Sequence, residues 1–236
     1  MGRPAPLLFM DPSFILASQS PRRRELFALL GYPFEIVVPD VDEDVHLGAD
    51  PAAYVLLTAR QKAEAVAAAL TADSPAGRRV AGRRVAGRRV IVAADTTVDL
   101  DGAIMAKPGD AAEAWAMLAA LRGRTHQVHT GVCVADTTSG RRLAAVHSAD
   151  VTMRNYSDEE IAAYIDTGDP FDKAGGYAIQ HPAFRPAATL SGCYTAIMGL
   201  PLCGLVVMLR QLGIPDRIDP VALVDAHRGY THSIKN

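Results

Sequence analysis

The sequence is organised around the stretch FILASQSPRRRELFALLG, residues 14–31. It opens with a short apolar run that is typical of a buried strand. Ser20 then suits the N-cap of a helix, and Pro21 suits the first helical position, where no backbone N–H is needed. Apolar residues recur at helical spacing as far as Gly31, which favours the end of a helix. The stretch therefore predicts a strand, a tight turn and a helix.

Three arginines, residues 22–24, occupy the first turn of this predicted helix, at the positive end of the helix dipole. A cation at that end is disfavoured by roughly 0.3–1 kcal/mol. Backbone N–H groups, the hydroxyls of Ser18 and Ser20 and the guanidinium groups converge there, which favours the binding of an anion such as phosphate. The alternative is that the arginines are solvated surface charge and that Ser20 only caps the helix.

The composition is that of a soluble globular protein, with 49% hydrophobic residues and a net charge of −2 over 236 residues. This length suggests one large domain or two small lobes. No apolar run approaches the ~18 residues that cross a membrane, and the near-zero net charge argues against a nucleic-acid partner. The apolar run within residues 1–13 is too short and too often interrupted to be a secretory signal. Cys133, Cys193 and Cys203 show no metal-type spacing, so we expect reduced core residues and a cytoplasmic protein.

A basic repeat interrupts the middle of the chain. The segment GRRV occurs three times between residues 77 and 90, at five-residue spacing, and contributes six arginines. Such a tract could bind nucleic acid or a membrane surface. We favour the alternative, a duplicated insertion in an exposed loop (residues 76–89), because loops tolerate insertions at small cost in stability.

Acidic residues lie on either side of this repeat. The apolar run at residues 90–94 is typical of a parallel strand, and Asp95 follows it directly. Ligands collect at the carboxyl ends of strands in open α/β sheets, where a carboxylate can bind a metal ion or take a proton from water. The alternative is a turn-forming aspartate. The loop at residues 40–44 holds four carboxylates, which either are solvated or help to hold a hard divalent cation.

Two lysines and one short segment add to the candidates. Lys62 lies on a helix predicted to start at Asp50, and Lys107 precedes a proline in extended backbone; alone, each is typical of a surface lysine. The segment FDKAGGYAIQ, residues 171–180, combines charges, two glycines and an amide, which permits close contact with a ligand. Three histidines of a predicted hairpin lie on separate strands or faces and are predicted to be structural: His126, His129 and His147. The chain after Pro215 is predicted to be a poorly anchored tail.

Several of these pieces together resemble the Maf proteins, nucleoside triphosphate pyrophosphatases first noted for an association with septum formation. The matching segments keep the family's order: LASQSPRR (16–23), QKA (61–63), ADT (94–96), KP (107–108), TGV (130–132), DKAGGYAIQ (172–180) and GLPL (199–202). The resemblance implies an α/β fold like that of inosine triphosphate pyrophosphatases, with an elongated mixed sheet and two lobes around a central cleft. It divides the chain into an N-terminal extension (1–13), a Maf-like domain (14–213) and a C-terminal tail (214–236).

The resemblance also implies a reaction: hydrolysis of a nucleoside triphosphate to the monophosphate and pyrophosphate with a divalent cation, Mg²⁺ or Mn²⁺. Asp95 matches the family's proton acceptor, and Glu43 with Asp95 are the candidates to hold the cation. Arg22, Thr96 and Gln180 match positions that set base preference, and they are the residues of the dTTP/UTP subgroup. The candidate substrate-binding residues are Ser18, Arg22, Arg23, Lys62, Thr96, Lys107, Asp172, Lys173 and Gln180.

Two alternative functions remain open. One is a pyrophosphatase for a different modified nucleotide, such as 7-methyl-GTP or a modified pyrimidine nucleotide. The other is a non-catalytic, nucleotide-binding regulator of septum formation. The family commonly forms homodimers, so a homodimer is expected. The chain departs from the family pattern in the basic repeat, at Ala178 and over residues 181–195.

Overall fold

A computed structural model describes residues 12–41, 50–71, 88–215 and 217–228. Within them the strands are β1 (Ser13–Ala17), β2 (Phe34–Ile36), β3 (Arg89–Leu100), β4 (Ala103–Met105), β5 (Thr125–Asp136), β6 (Arg142–Met153) and β7 (Ala187–Ser191). The helices are α1 (Pro21–Ala28), α2 (Pro51–Thr71), α3 (Ala111–Leu121), α4 (Asp158–Asp166), α5 (Tyr194–Ile197), α6 (Leu202–Gln211) and α7 (Pro220–Arg228). Two 3-10 turns, Asp169–Asp172 and Ala174–Gly176, follow α4.

The strands form one seven-stranded mixed sheet in the order β2-β1-β3-β5-β6-β7, with β4 paired to the end of β3. The short strands β2 and β1 run parallel to each other and to β3, whereas β5, β6 and β7 continue the sheet with antiparallel pairing. The α/β fold with a mixed sheet, which the sequence resemblance implied, is confirmed. The strand–turn–helix unit at residues 13–28 is also confirmed, with the Ser20 hydroxyl accepting from the Arg23 N–H at 3.4 Å.

Helices cover both faces of the sheet. Side chains alternate along a strand, so even-numbered residues of β1 and β3 pack with α1 and α6, and odd-numbered residues pack with α2. A separate apolar cluster gathers α3, α4 and the far halves of β3, β5 and β6. The three clusters therefore place apolar packing at both ends of the long strands, with polar residues of β3 between them.

The contact between α2 and β5 depends on Gly131. A Cβ at this position would lie 2.3 Å from the carbonyl oxygen of Val55, far inside van der Waals contact. Only glycine therefore lets the helix backbone approach the strand so closely. Gly131 pairs directly with Asp95 of β3, so this close approach sets the height of α2 above the middle of β3.

Three predictions need correction or restriction. Cys133 is buried, as predicted, but Cys193 is only half-buried and Cys203 is exposed; none of the three forms a disulfide. The predicted tail after Pro215 is anchored at its start, because Ile218 is buried in the core that α1 and α6 share and completes its apolar packing. Glu43 and most of the basic repeat lie outside the described residues.

The end of the basic repeat is part of the fold. Arg88 contacts Asp136 at 2.9 Å, and Arg89 is the first residue of β3. Burial opposes ionisation of Asp136, but hydrogen bonds from Ser139, Thr138 and Arg88 outweigh it and lower the pKa of that carboxyl. None of the helices in the described part of the chain combines the length and apolarity needed to cross a membrane.

Candidate active site

A cleft of about 360 Å³ opens where β1 ends. All the predicted substrate-binding residues and Asp95 line it, although they come from distant parts of the chain: Ser18, Arg22, Arg23, Lys62, Asp95, Thr96, Lys107, Asp172, Lys173 and Gln180. Glu43, the other predicted metal ligand, lies outside the described residues. The structure thus brings together every described residue in the predicted substrate-binding set, whereas Arg24 of the arginine cluster and Asp40 of the acidic loop do not line the cleft.

The cleft exists because two neighbouring strands differ in length. Ala17, the last residue of β1, pairs with Ala93, whereas β3 continues to Leu100. The edge of β3 is therefore free of β1 from about Asp95 onwards. The prediction that β3 ends at Asp95 was wrong: antiparallel pairing with β5 holds β3 extended well beyond this residue. The strand end that forms the cleft belongs to β1.

The first polar group in the cleft is a buried ion pair. Lys62 of α2 donates to Asp95 Oδ1 at 2.7 Å, and each side chain is 7% exposed. Lys62 is not the surface lysine that its place on a helix alone suggested, because the glycine contact of α2 with β5 brings it down onto the sheet. The ammonium group fixes the position of this carboxylate, and a carboxylate held at a cleft can accept a proton from water.

A second set of polar contacts lies on the opposite face of β3, because neighbouring residues of a strand point to opposite sides. Arg23 donates through Nε to the carbonyl of Gly199 at 2.8 Å and through Nη2 to Thr96 Oγ1 at 3.0 Å. Thr96 Oγ1 also lies 2.8 Å from the hydroxyl of Thr130. Arg23 thus ties the first turn of α1 to β3 and to the loop before α6.

The third group belongs to the segment 171–180. Lys173 is buried and donates to the Asp169 carbonyl at 2.5 Å, to Asp169 Oδ1 at 2.8 Å and to Asp172 Oδ1 at 2.5 Å. A lysine has three N–H donors, so these contacts use its full capacity. Asp172 is held at the cleft wall by this network.

The remaining predicted residues line the cleft at different depths: Ser18 is buried, and Lys107 and Gln180 lie at the surface. The Ser18 hydroxyl accepts from the N–H of Ser20 at 3.2 Å, while Lys107 and Gln180 are exposed. Burial and the hydrogen bond to Asp169 raise the pKa of Tyr164, and the charge of Arg22 partly offsets the rise.

Sequence reasoning missed the apolar part of the cleft. Its side chains come from four separate segments: Val98, Val128, Tyr177, Ile179, Ile197 and Met198. Val98 and Val128 pair across β3 and β5, two residues from the Thr96–Thr130 pair, so all four side chains share one face. The motif TGV contained Thr130, but hydroxyl-to-hydroxyl contact between strands is not visible in sequence. This wall suits the flat, largely apolar ring of a nucleobase.

The hairpin histidines form no metal site. Among the described residues no three His, Cys, Asp or Glu side chains are grouped to hold a metal ion. His129 contacts Ser148 at 2.7 Å, and His126 contacts the Tyr177 hydroxyl at 2.7 Å. Burial lowers the pKa of His126 to about 4, so this ring is neutral at physiological pH.

Comparison with known proteins agrees with this geometry. The family model described as Maf-like protein matches residues 13–212. The chain belongs to the Maf-like protein family. It is 42% identical to the dTTP/UTP pyrophosphatase of Chromobacterium violaceum over 203 residues, which covers 86% of this chain and 96% of the relative. It is 41% identical to the protein of the same name in Anaeromyxobacter dehalogenans over 208 residues (87% and 97%), and 40% identical to that of Carboxydothermus hydrogenoformans over 198 residues (84% and 97%).

The segment in which this Maf-like chain departs from the family pattern packs tightly against the cleft segment. His181 Nδ1 accepts from the N–H of Phe184 at 2.9 Å, closing a turn. The Phe184 ring stacks on Tyr164, with centroids 4.3 Å apart and planes 9° apart. Because Tyr164 also accepts from the N–H of Ala178, the altered residues support the segment that lines the cleft rather than enter it.

Proposed function

We propose that this protein hydrolyses dTTP and UTP to the monophosphate and pyrophosphate. The observation that carries the proposal is the buried Lys62–Asp95 pair, which faces a cleft that also holds arginine, lysine and an apolar wall. Relatives that match at about two-fifths identity over most of the chain are named dTTP/UTP pyrophosphatases. A triphosphate needs cations, and a base needs an apolar surface; this cleft offers both.

In this proposal Asp95 takes a proton from the attacking water. The water oxygen bonds to the α-phosphorus, the bond from that phosphorus to the bridging oxygen breaks, and the β- and γ-phosphates leave as pyrophosphate. Lys62 holds the carboxylate in place through its contact with Oδ1. Arg22 and Lys107, at the mouth of the cleft, neutralise the phosphate oxygens.

The residues also fit a hard divalent cation, Mg²⁺ or Mn²⁺. Such ions prefer carboxylate oxygens, and Asp95 carries a second oxygen besides the one that Lys62 contacts. Glu43 would be the other ligand. When bound, the ion would neutralise charge on the phosphates. We further expect a cytoplasmic enzyme that forms a homodimer, which size-exclusion chromatography with light scattering would test.

A nucleotide panel tests the proposed activity. Pyrophosphate release from dTTP, UTP, 5-methyl-UTP, CTP and 7-methyl-GTP would be measured with and without EDTA. We expect dTTP and UTP to be the best substrates and EDTA to abolish turnover. Preference for 7-methyl-GTP would instead favour the modified-nucleotide alternative, and nucleotide binding with no turnover would favour a regulator.

The variant Asp95→Asn supplies the test of mechanism. It keeps the size of the side chain but removes the base, so we expect pyrophosphate release to fall below detection while the protein stays folded. Asp99→Asn is the matched control, because Asp99 lies on the same strand and face but outside the cleft. Near-normal turnover by Asp95→Asn would show that Asp95 is not the proton acceptor.

A further inference from the structure

The hydroxyl of Thr130 determines the hydrogen-bond direction at Thr96. Thr130 is fully buried, and its Oγ1 lies 2.7 Å from the carbonyl oxygen of Ala196. A carbonyl only accepts, so the single hydroxyl proton of Thr130 is donated to Ala196. The contact of 2.8 Å between Thr130 and Thr96 must then use the proton of Thr96. Thr130 therefore accepts from Thr96 and cannot donate to it.

A second contact of Thr96, with Arg23, uses one of the two acceptor positions of the hydroxyl. Arg23 Nη2 is a donor and lies 3.0 Å from Thr96 Oγ1, so Thr96 accepts there. With its proton given to Thr130 and one lone pair given to Arg23, the Thr96 hydroxyl has one lone pair left. Thr96 is partly exposed and lines the cleft, so it offers a ligand an acceptor and no donor.

The ligand group that meets this acceptor is set by the surrounding wall. Thr96 shares its face of the sheet with the apolar pair Val98 and Val128, whereas the charged Lys62–Asp95 pair lies on the other face. The base of a nucleotide therefore belongs beside Thr96 and the phosphates beside Asp95. Uracil and thymine carry an N–H donor at ring position N3, while cytosine carries an acceptor at the same position.

We propose that Thr130 is a positioning residue for base specificity: it consumes the proton of Thr96 and so makes that hydroxyl an acceptor for the N3–H of uracil or thymine. The inference rests on the proposed function and adds a residue that does not line the cleft. A polar site that must pair with a specific donor rejects a ligand that presents an acceptor there, because both groups lose their partner.

The test is the ratio of kcat/KM for UTP to that for CTP in Thr130→Val. Valine keeps the shape of threonine but cannot accept from Thr96, whose hydroxyl becomes able to turn and donate to cytosine. We expect the ratio to fall about tenfold. Thr130→Ser, which restores the hydroxyl, should return the ratio to the wild-type value. A merely structural role would lower both activities together and leave the ratio unchanged.

Thr125→Val is the matched control. Thr125 lies on the same strand and pairs with the hydroxyl of Thr152 at 2.9 Å, but it is exposed and outside the cleft. This variant should keep the wild-type ratio. An unchanged ratio in Thr130→Val would overturn the proposal.

Two further measurements keep the test decisive. If Thr130→Val does not fold, the wild-type enzyme can be tested with 3-methyl-UTP, whose N3 carries no proton. We expect kcat/KM for this analogue to be at least about tenfold below that for UTP, and equal values would overturn the proposal.

If the wild-type protein hydrolyses neither dTTP nor UTP, the proposed function fails by itself. Calorimetric binding of UMP and CMP to the wild-type and Thr130→Val proteins then measures the same preference without turnover.

Discussion

Two buried lysines face the same cleft, and they differ in what they contact. The side chain of Lys62 is 7% exposed and that of Lys173 is 8% exposed. Lys62, on α2, contacts Asp95, which lies on β3. Lys173 instead contacts acceptors of its own segment, at Asp169 and Asp172. One lysine therefore serves a carboxylate in the middle of the sheet, and the other fixes the shape of a loop.

The difference shows that burial and charge alone do not identify a residue that acts on substrate. Both lysines come from segments that resemble the family, and both line the cleft. All three N–H donors of Lys173 are occupied, so this lysine can contact phosphate only if it gives up hydrogen bonds within its own loop. We therefore expect Lys62 to matter for chemistry and Lys173 for stability, and substitutions can separate these two roles.

The largest effect is expected for Lys62→Met. Methionine keeps the length of the side chain but removes the charge that holds Asp95, so kcat/KM for dTTP should fall about 100-fold or more. The unpaired buried carboxylate should also lower the free energy of unfolding by about 3 kcal/mol, measured by urea titration.

The double variant Lys62→Met/Asp95→Asn is the control for this prediction. It should recover much of the lost stability, because no charge is left unpaired, yet remain inactive. If Lys62→Met keeps activity within about threefold of wild type, the ion pair is not part of the chemistry.

The next largest effect is expected for Gly131→Ala. The new methyl group would overlap the Val55 carbonyl, so α2 must move away from β5 and carry Lys62 with it. We expect stability to fall by about 1–3 kcal/mol and kcat/KM by about tenfold, because the ion pair loses its alignment.

Gly109→Ala is a suitable control for the glycine substitution. A Cβ at Gly109 would meet only the end of the flexible Glu113 side chain, at 3.4 Å. This variant should keep both activity and stability. Loss of stability in Gly131→Ala with full activity would show that the position of α2 does not control the Lys62–Asp95 pair.

The sequence predicts well what depends on local chemistry. Ser157 with Glu160 has the sequence pattern of a capping box, and Asp101-Gly102 has that of a hairpin turn; both occur in the structure, as does the N-cap at Ser20. Each of these features depends on a few neighbouring residues, so contacts with distant parts of the chain do not change it. The strand–turn–helix unit was predictable for the same reason.

The sequence predicts poorly what depends on which strands pair. Asp95 looks like the end of a strand because the apolar run stops there, but pairing with β5 extends the strand to Leu100. Lys62 looks exposed because the helix pattern does not show how closely α2 approaches the sheet. Thr130 gives no sign of its role, since its partners lie 34 and 66 residues away in sequence.

Lys173→Met should lower stability more than activity. It removes three hydrogen bonds to charged or carbonyl oxygens, and we expect a loss of about 2 kcal/mol in the free energy of unfolding at pH 7, with only a few-fold change in kcat/KM. Lys107→Met is the matched control: it removes an exposed lysine at the same cleft and should leave stability unchanged.

The pH dependence of stability sharpens this prediction. Burial opposes ionisation of Asp169, but hydrogen bonds from Lys173 and Tyr164 outweigh it and lower the pKa of the carboxyl. A lowered pKa contributes stability above the unfolded value of about 3.9, and this contribution is lost as the pH falls through the folded pKa. The stability gap between wild type and Lys173→Met should therefore narrow below about pH 4. A gap independent of pH would show that the lysine stabilises the loop without Asp169.

The smallest effect is expected for Tyr164→Phe. The Tyr164 hydroxyl donates to Asp169 Oδ2 at 2.6 Å and accepts from the N–H of Ala178 at 2.9 Å. Phenylalanine loses both hydrogen bonds but keeps the ring that stacks on Phe184. We expect a loss of about 1 kcal/mol in urea titrations and at most a twofold rise in KM. Tyr156→Phe, which removes a buried hydroxyl away from the cleft, should cost similar stability and leave KM unchanged. A loss of activity beyond about tenfold in Tyr164→Phe alone would mean that the loop around Lys173 acts on substrate directly, and the contrast between the two lysines would no longer hold.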